Sequence, residues 1–453
     1  VVDPLENSTY SVEIPTRANL LTIGNKANLV FRGITFQYAN SCRNDSAVPV
    51  QFNDSNILFD QDFFYWNNAS GIKMGWSTNT TVQNSIANYN GSEGLQGYET
   101  KYDLWQNNVA RYNGWRGAQG VYYSWGVAGT HFGLAHNQTI DGLDTSFNQT
   151  FGIHWDTDNE NDTADSMTAS QNLLAAAFVE KSQGPVTITN SSFCNGAPLM
   201  GPNTLGFELR NSGSVTLSGS TMLNNGTELL ITGQAGGYTI KNWETGQSLT
   251  VNNKNFVFTN NVVDGTTSQQ LFTDGALAGS DWATFNNTLS SDYNTWWNAT
   301  GTKFFTVPVP VLWTKTDYSG FQATTLKDAH SSWKAPSNPG SACTNLAGPD
   351  SDYWFVMDAF KGYATVSAGG SYTWTPSVVA LGGFTGTISL KNDGITAIPG
   401  ATATYSPASI TTSGSASFTV TTKSTTPKGS YPITLIANNG SKTRTMTVTL
   451  TVN

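Results

Sequence analysis

Asp156, in the run GIHWDTDNEND, and Glu180, in AFVEKSQGP, stand 24 residues apart. A pair of carboxylates is the minimal equipment for glycosidic cleavage. One gives a proton to the leaving oxygen, and the other attacks the anomeric carbon or activates water. Around them, residues 151–181 hold Asp156, Asp158, Glu160, Asp162, Asp165 and Glu180, six of the 31 acids in the chain. Three of the four histidines, His131, His136 and His154, fall close by. The stretch 119–137, QGVYYSWGVAGTHFGLAHN, reads as an insertion that brings Tyr122, Tyr123, Trp125 and Phe132. Long loops on a rigid scaffold often carry function, and aromatic faces stack on sugar rings. The substrate-binding candidates are Tyr123, Trp125, His131, His154, Trp155, Asp158 and Glu208, and packing of the aromatics onto the wall is the alternative.

The elements that must position the two acids are repeats. The runs NLVFRGITFQYAN (28–40), NILFDQDFFYWNN (56–68), NTTVQNSIANYN (79–90) and YDLWQNNVARYN (102–113) are short β-type segments ending in an aromatic or small residue and Asn. Tyr89-Asn90-Gly91 returns at Tyr112-Asn113-Gly114, then as Phe147-Asn148 and Cys194-Asn195-Gly196. A period of about 23 residues without a leucine-rich pattern predicts an all-β solenoid. The expected fold is a right-handed parallel β-helix over 1–310, with Asn stacked at its turns. Residues 311–361 read as an irregular extension, and 362–453 as a small β-sandwich of alternating Thr/Ser-rich strands. Residues one coil apart lie about 4.8 Å apart on neighbouring strands. Asp156 and Glu180, if both face outward, then approach within roughly 5 Å, the retaining arrangement, where an inverting enzyme needs roughly 6.5–9.5 Å. Two close carboxylates do not both ionise cheaply, so one should rise in pKa and donate the proton.

Composition sets the wider frame. The chain has 453 residues and a net charge of −9, with only 12% charged side chains. It has no basic patch for nucleic acid and no run of about 20 apolar residues to span a bilayer. With 14 Trp, 17 Tyr and 23 Phe it has ample area to bury, which excludes disorder. Low charge with many Asn, Thr, Ser and Gly suits a secreted or cell-surface protein. Cys42, Cys194 and Cys343 allow at most one bridge, and buried free thiols are the expectation. Fourteen Asn-x-Ser/Thr sites, among them Asn68, Asn90, Asn148 and Asn190, carry little weight as glycosylation signals because several lie within repeats. The start at Val1, without Met, reads as mature, trimmed or a fragment.

Gly152-Ile153-His154-Trp155-Asp156, followed one coil later by Phe178-Val179-Glu180-Lys181-Ser182-Gln183-Gly184-Pro185, resembles paired strands of parallel β-helix glycoside hydrolases. The similar families are the β-xylosidase-like family 120 and the related, fucosidase-type family 141. NLVFRGITFQYAN and Trp125–Thr130 extend the resemblance over most of residues 10–330. It implies Asp156 as nucleophile, Glu180 as general acid/base, a neutral polysaccharide or oligosaccharide such as xylan as substrate, and no cofactor. His131 stands where Lys is expected, His154-Trp155 replaces Trp-Phe, and Lys181 adds a cation beside the proposed acid. The segment from AGGSYTWTPSV to GSYPITLIA resembles bacterial immunoglobulin-like modules, which are spacers or adhesion units.

Other readings stay open. DTDNEND fails as an EF-hand but leaves a structural calcium of solenoid type open. A calcium-dependent polysaccharide lyase would use Lys181 or Arg210 as base, although the acidic chain suits an acidic polymer poorly. An Asn/Thr-rich solenoid is also what a surface-layer, adhesin or filament subunit looks like. Such a subunit would self-associate, or take an N-terminal partner segment, at an open solenoid end.

Overall fold

A computed structural model describes residues 15–42, 45–115, 127–194, 204–265, 270–275, 277–299, 301, 303–311, 313–337, 352–357, 361–381 and 384–453. Among these, short strands recur once per coil and pair with their equivalents in the coils on either side. They gather into three long sheets of twelve, ten and six strands, with a further three-stranded sheet near the start. Pairing in the long sheets is parallel up to the final pair of the largest, Phe305–Val307 with Thr314–Thr316, which is antiparallel. The chain is therefore a parallel β-helix over these coils. No helix among the described residues is long and apolar enough to cross a membrane.

Alternation along each strand decides what faces inward. In the largest sheet one inward row runs Val48, Ile72, Leu95, Thr130, Ile153, Ala177, Phe207 and Leu229, each the register partner of the next. Two residues further along, Val50, Met74, Gly97, Phe132, Trp155, Val179, Leu209 and Ile231 form the second. All the large apolar members of both rows are buried in one continuous core. Burying each contributes roughly 1.5–3 kcal/mol, so the register is strongly held.

The recurring Asn residues lock the coils at one corner. Asn67 Nδ2 donates to Asn90 Oδ1 at 2.9 Å, Asn90 to Asn113 at 3.0 Å, Asn113 to Asn148 at 3.2 Å and Asn148 to Asn172 at 3.1 Å. Each of the Oδ1 acceptors from Asn90 to Asn172 also takes the backbone N–H of the Asn one coil earlier. Buried turn amides are thereby satisfied without water. The aromatic residues before Asn67, Asn90, Asn113 and Asn148 sit at positive φ and stack in turn, Trp66 on Tyr89, Tyr89 on Tyr112, and Tyr112 on Phe147. Asn90 and Asn148, although within sequons, are fully buried members of this ladder.

The described residues between 352 and 452 form largely antiparallel sheets, with Tyr363–Val366 parallel to the last strand, around a separate core that includes Tyr353, Trp374, Phe418 and Leu435. Trp354, Val356 and Val379 pack against Phe147 and Leu173 of the solenoid. Cys194 is disulfide-bonded, and Cys42 is free and exposed, which corrects the expectation of buried free thiols. Sparse cysteines cannot reveal pairing, because pairing depends on which turns the fold brings together.

Candidate functional site

The outer face of the largest sheet carries two further rows. The first runs Lys73, Gln96, His131, His154, Phe178 and Glu208. The second, two residues along, runs Gly75, Tyr98, Gly133, Asp156, Glu180 and Arg210. Asp156 and Glu180 are register partners on adjacent strands, the placement that the 24-residue spacing predicts. Gly133 leaves room for the Tyr98 ring, because a Cβ there would stand 3.3 Å from Tyr98 Cδ2.

The side chains on these rows interlock. His154 stacks on Phe178 with centroids 4.5 Å apart, and on His131 at 5.2 Å. His131 Nε2 approaches Asp156 Oδ2 at 3.7 Å, and His154 Nε2 approaches Glu180 Oε2 at 3.5 Å. Both are too long for good hydrogen bonds. Lys181 Nζ lies 2.8 Å from Glu180 Oε1, and Arg210 reaches Glu208 at 2.7 Å and Glu180 at 3.7 Å. Asp156 keeps 27% of its side chain exposed where Glu180 keeps 4%, so the aspartate is the carboxylate that meets solvent.

Electrostatics distinguish the three acids. Burial tends to raise Asp156, but contact with His131 and the charges of His154 and His131 hold it well below the usual carboxylate range. Glu180 is likewise lowered, because His154 and Lys181 outweigh its burial. Burial also lowers His154, against the opposing pull of Glu180 and Asp156. The expected rise of one partner of the close pair therefore does not occur within the pair. It appears one coil later at Glu208, which burial raises to about 7.

A hairpin, Tyr238–Lys241 paired with Ser248–Val251, borders the site. The Tyr238 ring lies 4.8 Å from Lys181 Nζ. Its turn reaches back over earlier coils, where Glu244 meets His136 at 2.6 Å and Lys101 at 2.6 Å. The Trp243 amide donates to Asp158 Oδ2 at 2.8 Å, and Asn242 reaches Glu160 at 3.3 Å. Contacts with Asp158 and Glu244 override burial and lift His136 to about 9.

These contacts sort the candidate residues. His131, His154, Asp156, Glu180 and Glu208 come together. Trp155 does not line the site: it lies between His154 and Asp156 on a strand, so alternation turns it into the core, fully buried. Asp158 is also a correction, being fully buried and engaged by Gln183 and the hairpin rather than by the Asp156–Glu180 pair. Asp158 accepts from the Gln183 amide and the Trp243 backbone N–H, and Glu160 Oε2 accepts from Gln183 and Asn242. Tyr122, Tyr123 and Trp125 lie outside the described residues. Lys73, Gln96 and Tyr98 escaped the sequence reading. Counting back from Asp156 through the 12-residue insertion would have found Tyr98. Glu244 carries no such signal, since it arrives by a hairpin.

No protein-family model matches this chain, and no curated protein sequence matches it. Solved structures with some similarity include a variant of the periplasmic alginate epimerase AlgG, with TM-score 0.43, 11% identity, and 62% of each chain covered. The A-module of the Azotobacter vinelandii mannuronan C-5 epimerase AlgE6 gives 0.38 and 13%, covering 68% of this chain and 81% of that one. Tailspike protein 2 from Escherichia coli bacteriophage CAB120 gives 0.35 and 11%, covering 95% of this chain and 58% of that one. The present chain thus spans about 62% of the length of the AlgG variant.

Proposed function

We propose that this chain is a secreted or cell-surface carbohydrate-active enzyme that cleaves glycosidic bonds of a neutral polysaccharide or oligosaccharide. The observation that carries the reading is the register pairing of Asp156 with Glu180 on the outer face, with Glu208 one coil beyond. Asp156, ionised and the more exposed, attacks the anomeric carbon, as a retaining enzyme requires. The leaving oxygen needs a proton, which Glu208 holds near neutrality and Glu180 does not. Arg210 touches both glutamates, so the two act as one acid/base unit in which substrate binding passes the proton to Glu180. Glu180 then activates water to release the sugar. Tyr98 and His131 shape the subsite around Asp156. The disulfide at Cys194 supports an oxidising compartment. The largely antiparallel C-terminal region, taken as an immunoglobulin-like module, serves as a spacer.

A second reading is a polysaccharide lyase. The cations Lys181 and Arg210 favour it, although both are already paired with Glu180 and Glu208. The test is a panel of aryl glycosides and plant polysaccharides, with Asp156→Asn and Glu180→Gln as controls. Release of reducing sugar that both variants abolish supports hydrolysis. A product with a new UV-absorbing double bond identifies a lyase. Equal behaviour of all three proteins across the panel overturns catalysis here and leaves the adhesive or filament role.

A further inference from the structure

His131 and His154 present an unusual deficit. His131 Nε2 and both ring nitrogens of His154 are buried without a hydrogen-bond partner among the described residues. The two rings are 6% and 0% exposed. A buried imidazole nitrogen left unpaired costs about 1–3 kcal/mol, and three at one place call for a ligand. One nitrogen from each ring and one Asp156 oxygen all lie within 4.8 Å of one another.

The geometry points to a binding site for one divalent transition ion of the zinc class, held by His131, His154 and Asp156. Two imidazoles and one carboxylate form a donor set that borderline divalent ions favour, with a position left for water or a sugar hydroxyl. Zinc–nitrogen bonds of 2.0–2.1 Å in a tetrahedral site place ligand atoms about 3.3 Å apart, so small ring rotations of order 1 Å close the set.

The surroundings suit ligation. Thr157 Oγ1 donates to Asp156 Oδ1 at 2.8 Å, which leaves Oδ2 turned toward His131. On its far side His131 Nδ1 stands 3.5 Å from the Gln96 amide nitrogen and 4.0 Å from Glu93 Oε1. Gln96 Oε1 is itself buried and unpaired. Turning that amide over lets Oε1 accept from Nδ1–H, which fixes the tautomer that presents the Nε2 lone pair to the ion. Glu180 Oε2, 3.5 Å from His154 Nε2, borders the position left open. The stack of His131 on His154 on Phe178 holds both rings in place.

This site goes beyond the hydrolase reading and competes with it for Asp156, so an ion bound here occupies the nucleophile. The test uses the full chain, stripped with chelator and titrated with Co²⁺, read by visible absorption and by calorimetry rather than by turnover. The expected result is one equivalent of Co²⁺, displaced by Zn²⁺, with ligand-field bands of a low-coordinate site. His131→Asn and Asp156→Asn should each weaken binding by more than the ~10–100-fold lost with a supporting partner. Asp156 is partly exposed, so Asp156→Asn keeps the test valid if a histidine variant fails to fold. Absence of stoichiometric binding, or binding that survives both substitutions, overturns the site. Glycoside cleavage without metal binding removes this inference and leaves the hydrolase, and metal binding without cleavage does the reverse.

Discussion

Asp156 and Glu180 are register partners on adjacent parallel strands, yet both are held ionised, and the proton near neutrality resides on Glu208 one coil further on. The division follows from neighbours. His131 and His154 flank Asp156, Lys181 and His154 flank Glu180, whereas Glu208 is deeply buried and meets Arg210 as its one cation among the described residues.

If that division runs the chemistry, Asp156→Asn and Glu180→Gln each lower kcat/KM by about 10²–10⁴-fold or more, with circular dichroism unchanged. Assays on an aryl glycoside with a good leaving group separate the roles. Such a substrate needs little protonation, so it should partly spare Glu180→Gln and not Asp156→Asn.

The pH profile reports the proton. Burial raises Glu208 to about 7, so activity should fall as pH rises through about 7. In Glu208→Gln that descending limb should move or vanish. A limb unchanged in the variant would assign the proton to another group.

The hairpin clamp predicts a second pH effect, this time on stability. His136 in the folded state titrates at about 9, above its ordinary value of 6.5. Its contribution is therefore complete below about pH 6.5 and is lost as pH rises through 9. The loss should amount to roughly 3 kcal/mol. Melting temperatures measured from pH 6 to 9.5 should fall more steeply for the wild type than for His136→Gln.

The asparagine ladder is open to a direct measurement. Asn113→Ala strands the Asn90 backbone N–H and removes the donor to Ala87 O at 2.8 Å, costing about 3 kcal/mol. Gly129→Ala should be comparably damaging, because its Cβ would fall 2.2 Å from Asn148 Nδ2. Chemical denaturation checks both.

Trp155→Ala separates core from site. A fully buried tryptophan in the solenoid interior should cost about 3–5 kcal/mol of stability. At a temperature where the variant is folded, KM should change little. A large KM effect with intact stability would return Trp155 to the substrate face.

Much of this was legible in the sequence because a solenoid writes its geometry as a period. The 24 residues between Asp156 and Glu180, and the 23 between Asn90 and Asn113, became register partners and ladder neighbours because each coil is one repeat. Inward and outward faces follow from strand alternation, which the sequence also carries, and applying it strictly would have placed Trp155 in the core. The concentration of acids was legible too, but not its meaning. Tertiary structure divided those six among different tasks. Asp156 and Glu180 face the site, Asp158 and Glu160 hold the hairpin, Asp162 takes the Gln138 amide at a turn, and Asp165 binds Thr189 and Asn190. Protonation states depended on burial and on charges brought by other coils, and Glu244 reached His136 across 108 residues by a hairpin that no period encodes. The sequence alone thus determined the repeat, the rows and the neighbours within them. Only the tertiary structure decided which side chains are desolvated, which are paired, and where three imidazole nitrogens are left without a hydrogen-bond partner among the described residues.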